Sequence, residues 1–329
     1  MNLAIIGATG LVGEVIIKVL QERDIYIENI FFAASSKSVN KSLEFKDQKI
    51  KIISIEKALE QKLDAAIFSA GKEVSTLWAP KFSAKGVTVI DNSSAWRMDK
   101  SKKLIIPEIN GHELNQNDKI IANPNCSTIQ MLMTLNPIHK KYCITRVIVS
   151  TYQSITGTGR TAINQLNNEY KKISGEKAYK YQIHQNVIPQ CDDFIENGYT
   201  KEEMKLVNET HKILDKNISI SATAVRVPVI GGHSESINLT LENPFEINEI
   251  KNLLSNSEGL VVEDDPSNLI YPMPLNSIGK DEVFVGRIRR DYSCENSLNL
   301  WVVADNLRKG AATNAIQILE YIKSKGFLN

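Results

Sequence analysis

A chain of 329 residues is longer than a single core usually serves, and 42% hydrophobic residues is enough to fill two, so two domains are expected. Lys and Arg number 39 against 38 Asp and Glu, a net charge of +1, which excludes a global field for nucleic acid or an anionic membrane; any anionic ligand must be held by local cations. The four cysteines, at 126, 143, 191 and 294, have neither CxxC spacing nor disulfide-scaffold density, and neither a leader-like N-terminus nor a run near ~20 apolar residues is seen, so free thiols in a soluble cytoplasmic protein are expected.

Asn2 to Ile6 reads as a short apolar strand running straight into Gly7-Ala8-Thr9-Gly10-Leu11-Val12-Gly13 and then a helical run from Glu14 to Leu20. Glycines placed between a strand and a helix N-terminus let the backbone approach a pyrophosphate, whose charge the helix end meets, and this predicts dinucleotide binding. A second strand is expected at Asn29 to Ala34. Its end, where an acidic residue would favour NAD, carries Ser35-Ser36-Lys37-Ser38; hydroxyls and a cation suit a 2′-phosphate and hence NADP, a solvated loop being the plainer alternative. Strand-like runs at Ala65 to Ser69, Val87 to Ile90, Leu104 to Ile106 and Lys119 to Ala122 alternate with helical stretches such as Val74 to Ala84. That rhythm predicts an α/β, doubly wound, mainly parallel sheet of Rossmann type, with ligand sites at the carboxyl ends of its strands. Arg97, after Asp91-Asn92-Ser93-Ser94, reads as an exposed loop cation or a phosphate clamp.

In the stretch from Ile120 to Leu135 a strand pattern meets Asn-Pro-Asn, then Cys126, then a helical pattern. A thiol at a helix N-terminus faces unpaired N–H groups and the positive end of the dipole, which favour the nucleophilic thiolate; a buried structural cysteine is the alternative. Asn125, Ser127 and Thr128 add polar groups beside the sulfur. From Ile144 the strands lengthen and alternate, at Ile144 to Tyr152, Ile218 to Val227, Ser236 to Leu241, Val283 to Arg290 and Leu298 to Ala304, predicting an α+β second domain with one sheet face against helices. Helices are expected near Thr161 to Ile173 and Lys201 to Leu214. On the latter, Glu202 and Lys205 share a face, as a solvent ion pair or a substrate-facing one. The glycine turn Thr156-Gly157-Thr158-Gly159 could pass close to a ligand. Arg226 lies in an apolar, small-residue strand and calls for a carboxylate from protein or substrate. His233, after Gly231-Gly232 and near that arginine, is a base candidate. A terminal helix, introduced by the segment Asp305 to Ala312 and running to about Ile322, is expected to cover the first domain.

GATGLVG, FSAG, DNSSAWR, PNCSTIQ, VSTYQ with TGTG, EEMK, VRVP with HSES, DDP, FVGRIR and VVADNLRKGAA follow one another in order from residue 7 to 312, and in this order and spacing the chain resembles the aspartate-β-semialdehyde dehydrogenases. The resemblance implies a nicotinamide-binding domain over 1–125, a catalytic and dimer-forming domain over 126–305, and a C-terminal segment, 306–329, returning to the first. It implies Cys126 as nucleophile, His233 as general acid/base, Gln153 orienting the acyl intermediate, and Arg226 on the substrate α-carboxylate. Arg97 and Lys205 would bind phosphate, Glu202 would lie in the substrate site and Asn125 beside the thiol. Cofactor contacts would come from Gly7, Thr9, Gly10, Leu11, Val12, Ser35, Lys37, Ser38, Thr156, Gly157 and Asn306; no metal is implied. Relatives often carry arginine where this chain has Lys37, which lacks the bidentate fork for a 2′-phosphate. The implied reaction is NADPH-dependent reductive dephosphorylation of L-4-aspartyl phosphate, a step towards lysine, threonine and methionine, by a homodimer. Reduction of a longer acyl phosphate and cofactor sensing without turnover are the competing readings, and the second leaves Cys126, Arg226 and His233 unexplained. The stretch from Ser174 to Cys191 matches least and carries no expectation.

Overall fold

The computed structural model describes residues 1–328. Contacts divide the chain into two units, residues 1–125 with 311 onward, and residues 126–310. The first contains β1 (Asn2–Ile6), α1 (Leu11–Glu22), β2 (Asn29–Ala33), β3 (Ser42–Phe45), β4 (Gln48–Lys51), α2 (Ile55–Leu59), β5 (Ala65–Phe68), α3 (Lys72–Ala84), β6 (Thr88–Asp91), β7 (Lys103–Leu104), α4 (Pro107–Asn110) and β8 (Ile120–Ala122). Six of these strands form one sheet in the order β2-β1-β5-β6-β8-β7, and every pairing in it is parallel. Helices and loops cover both faces, which is why β5, β6 and β8 are buried at every residue and read as unbroken apolar runs. Of the run expected from Leu104 to Ile106 only Leu104 pairs as a strand, with Lys103 before it, because Pro107 opens α4 directly after the run. The β3–β4 hairpin stands apart as a small antiparallel pair.

The second unit contains α5 (Cys126–Tyr142), β9 (Ile144–Ser154), α6 (Arg160–Tyr170), α7 (Lys201–Ile213), β10 (Ser219–Val227), β11 (His233–Leu241), α8 (Ile247–Ser255), β12 (Leu260–Val262), α9 (Pro274–Ser277), β13 (Val283–Arg290) and β14 (Ser297–Ala304). Its six-stranded sheet runs β10-β9-β11-β14-β13-β12, mixed, with β9–β10 and β12–β13 parallel and the rest antiparallel. α5 packs against β9, β11, β13 and β14 and is buried nearly all round, polar Gln130, Thr134 and Asn136 included. α7 starts at a capping box: Glu203 N donates to Thr200 Oγ1 at 3.2 Å and Thr200 N to Glu203 Oε2 at 2.6 Å. Its other oxygen, Oε1, accepts from Ala224 N at 2.8 Å, so the same carboxylate pins the helix start to β10. A π-helical turn over Arg308–Ala312 leads into α10 (Thr313–Ser324), whose Ala315, Ile316, Ile318, Leu319 and Ile322 join the core of the first unit with Ile16 and Leu20 of α1. The chain re-enters that unit at Ala311 rather than Asn306.

Candidate active site

In the first unit the turn after β1 is shaped by what it must avoid. Gly7 has φ 88°, and a Cβ there would stand 2.3 Å from the Ser69 carbonyl oxygen; one at Gly13 would stand 2.3 Å from the Gly7 oxygen. Only glycines let strand, turn and helix close this tightly. Gly10 caps α1 with no side-chain hydrogen bond, so Leu11, Val12 and their neighbours present a helix N-terminus that no cap side chain fills. Thr9 Oγ1 lies 3.5 Å from Ser38 Oγ, which brings the glycine turn against the loop after β2; Ser35 and Lys37 of that loop are exposed. These features fit a dinucleotide: a pyrophosphate on the helix end, with hydroxyls and a free-standing cation alongside. Arg97 is buried, not an exposed loop cation: its Nε donates to the Asn123 carbonyl at 2.9 Å and Nη2 to the Asn92 carbonyl at 2.8 Å. Asn123 is fixed in turn by Asn92 and Asn314, at 2.6 Å each. Asn125, the last residue of this part, is buried.

In the second unit the site grows from the C-terminal end of β9, flanked by β10 and β11. Gln153 pairs with Arg226 across the parallel ladder, while β11 enters on the other side at His233 and Ser234. Adjacent strands therefore deliver the amide, the guanidinium and the imidazole to one sheet end. Cys126 is the first residue of α5 and half-buried; Gly310 lies against it so closely that a Cβ there would be 2.8 Å from the Cys126 Cβ. Beside the thiol, Ser127 Oγ accepts from Gln153 Nε2 at 3.1 Å, and the same Nε2 reaches Glu202 Oε1 at 3.2 Å. Glu202 Oε2 holds Lys205 Nζ at 2.9 Å, and Asp192 Oδ2 holds it at 2.9 Å as well. Glu202 and Lys205 are thus a largely buried pair tied to the site. Burial alone would lower the lysine's pKa, but the two carboxylates outweigh it and hold the ammonium charged.

Arg226 is buried and its Nη1 donates to the Ser154 carbonyl at 2.8 Å; among the described residues its Nε has no acceptor and no carboxylate pairs with it. Its position calls for a carboxylate that the described residues do not supply. His233 is the first residue of β11, directly after the glycine turn, and is fully buried. Ser154 N donates to its Nδ1 at 3.0 Å, so the neutral ring carries its proton on Nε2, which has no partner among the described residues. Burial, then the nearby Arg226 charge, lower its pKa to about 3, so the ring is neutral at pH 7. Gly157 closes the group: a Cβ on it would be 3.0 Å from Arg226 Nη1 and 3.3 Å from His233 Nε2. Thr156 Oγ1 donates to Asn306 Oδ1 at 3.0 Å, joining the turn to the segment after β14.

Three residues of this arrangement escape a reading of the sequence. Ser154 orients His233 and Arg226 through backbone atoms, which no side-chain type reveals. Asp192 grips Lys205 from just beyond the stretch that matches relatives least. Gly310 matters through the side chain it lacks.

Two family models match, one described as the semialdehyde dehydrogenase NAD binding domain over residues 2–117 and one as its dimerisation domain over residues 135–309. The aspartate-semialdehyde dehydrogenase of Aquifex aeolicus is 48% identical over 337 residues, covering 99% of each chain, and that of Bacillus subtilis is 42% identical, covering 98% of this chain and 97% of its own. Among solved structures, Vibrio cholerae aspartate semialdehyde dehydrogenase II complexed with ASA superposes with a TM-score of 0.93 at 42% identity, covering 98% of both chains. A thiol opening a buried helix, set among these residues in a chain with relatives of this identity over nearly full length, leads to one assignment: the chain belongs to the aspartate-semialdehyde dehydrogenase family.

Proposed function

We propose that this oxidoreductase catalyses the NADPH-dependent reductive dephosphorylation of L-4-aspartyl phosphate to L-aspartate 4-semialdehyde, in biosynthesis of lysine, threonine and methionine. The observation that carries the reading is Arg226, a buried cation without a protein carboxylate, converging with His233 on Gly157 beside the Gln153–Glu202–Lys205 chain. That arrangement suits a small amino acid: Arg226 binds its α-carboxylate, Glu202 its ammonium, Lys205 and Arg97 its phosphate.

Cys126 attacks the acyl carbon as thiolate, the carbon–oxygen bond to phosphate breaks, and a thioester remains. Gln153 holds the acyl group, and Asn125 stands beside the sulfur. Gly7, Thr9 to Val12, Ser35, Lys37, Ser38, Thr156, Gly157 and Asn306 would hold NADPH, which would supply when bound the hydride for reduction of the thioester. His233 donates from Nε2–H to the carbonyl oxygen as it gains charge; departure of the Cys126 thiolate then frees the aldehyde. The Ser154 N–H on Nδ1 is the reason we assign His233 a donor's part at this oxygen rather than that of a base.

A catalytic thiol and a reduced cofactor suit the cytoplasm, which we take as the location. Exposed Ile148 and Tyr152 on β9 support a homodimer through the second unit's sheet. The test is NADP reduction by the purified protein with aspartate semialdehyde, with and without inorganic phosphate. Phosphate-dependent reduction is expected; none with this aldehyde, or reduction indifferent to phosphate, would overturn the reading.

A further inference from the structure

Glu235 has no part in the reaction above, yet it lies two residues after His233 on the same face of β11 and is fully buried. Among the described residues neither of its side-chain oxygens has a hydrogen-bond partner, and it joins no ion pair. A carboxylate ion so placed is strongly disfavoured. Burial pushes its pKa well above the ordinary value, with only the Gln130 amide opposing, which favours the neutral acid and its O–H donor.

An acceptor waits on the facing helix. Gln130 sits one turn after Cys126 on α5, is fully buried, and sends its Nε2 to the His233 carbonyl at 3.4 Å while its Oε1 has no partner. A single proton gives Gln130 Oε1 a donor and engages one of the two Glu235 oxygens. We propose that Glu235 is a positioning residue: its carboxyl O–H binds Gln130 Oε1, which fixes the amide on the His233 carbonyl and so registers the helix that begins with the thiol against the strand that begins with the imidazole. This bridge ties the nucleophile to the oxyanion donor through their backbones. The inference rests on the reaction proposed above.

The test compares Glu235→Gln, Glu235→Leu, Gln130→Leu and the Glu235→Leu/Gln130→Leu double variant. Glutamine keeps a neutral donor, so Glu235→Gln should hold kcat within about threefold, whereas Glu235→Leu should lose about tenfold or more in kcat with KM for aspartate semialdehyde little changed. Gln130→Leu should lose a similar factor, and the double variant should be no worse than the poorer single one. Infrared difference spectra at pH 7 should show a protonated-acid carbonyl band in the wild type that Glu235→Gln removes. A Glu235→Gln as impaired as Glu235→Leu, multiplying losses in the double variant, a carboxylate band alone, or losses that follow melting temperature would each overturn the proposal. If the wild type shows no phosphate-dependent turnover, the reaction itself is misread. The infrared band and the coupling of the two leucine variants in melting temperature then decide the hydrogen bond independently.

Discussion

Gly157→Ala adds one methyl group where the site has least room. Gly157 does not need a positive φ, so alanine fits the backbone, and by restricting the unfolded chain it would favour folding by about 0.4–1 kcal/mol if it met nothing. The methyl instead stands 3.0 Å from Arg226 Nη1 and 3.3 Å from His233 Nε2, where ordinary contact begins near 3.4 Å. Both groups are buried and tethered at Ser154, so they give by a few tenths of an ångström rather than swinging away. Folding energy then changes little, but the methyl takes space needed by whatever the guanidinium and imidazole bind. Misplacement of that order costs about 10- to 100-fold in kcat/KM, or roughly 1.4–2.8 kcal/mol of transition-state stabilisation. Phosphate-dependent kinetics and calorimetry on one preparation read both quantities. Wild-type kcat/KM would refute the convergence of Arg226 and His233 on a bound substrate. An activity loss matched by a fall of several degrees in Tm would turn the effect into one of folding.

Cys126→Ala should lower turnover by at least about a thousandfold while cofactor binding, followed by fluorescence, stays near normal; substantial residual turnover removes the covalent route. Cys143, Cys191 and Cys294 should each tolerate Ser. Lys37→Ala should raise KM for NADPH about three- to tenfold and leave NADH unaffected, and equal loss for both would end its role at a 2′-phosphate. His233 gives a pH signature. Its pKa is lowered from 6.5 to about 3, so between those values the unfolded chain binds a proton that the folded one refuses, and stability falls as pH drops through that window. The slope is up to about 1.4 kcal/mol per pH unit. Urea unfolding of His233→Gln should show a shallower slope than wild type from pH 6.5 to 4.5, and identical slopes would mean the ring is accessible to protons.

The parallel sheet was legible because strands buried on both faces leave apolar runs such as Ala65–Phe68, and the second sheet because its strands alternate. The β3–β4 hairpin was not: its strands are charged and half-exposed, and its two-residue turn is Lys46-Asp47, with φ of 47° and 63°, rather than a glycine pair. In the site, residues conspicuous by type in their context, Cys126, Arg226 and His233, could be singled out. Their surroundings could not: the burial of Arg97 and of the Glu202–Lys205 pair depends on which segments fold over them, and a sequence gives charges without the solvent around them.

The two cations of the second unit are held differently. Arg226 meets only carbonyl oxygen and has its charge uncommitted, whereas Lys205 is gripped by Glu202 and Asp192 on two sides. An anion arriving at Lys205 must share it with carboxylates that repel the newcomer, so its hold there is loose; an anion at Arg226 has the guanidinium to itself. With phosphate at Lys205 and the α-carboxylate at Arg226, as proposed, this inequality would divide retention from release in a reaction where phosphate must leave at every turnover while the carboxylate stays through both chemical steps. On that assignment the site would anchor its intermediate firmly without becoming trapped by its first product.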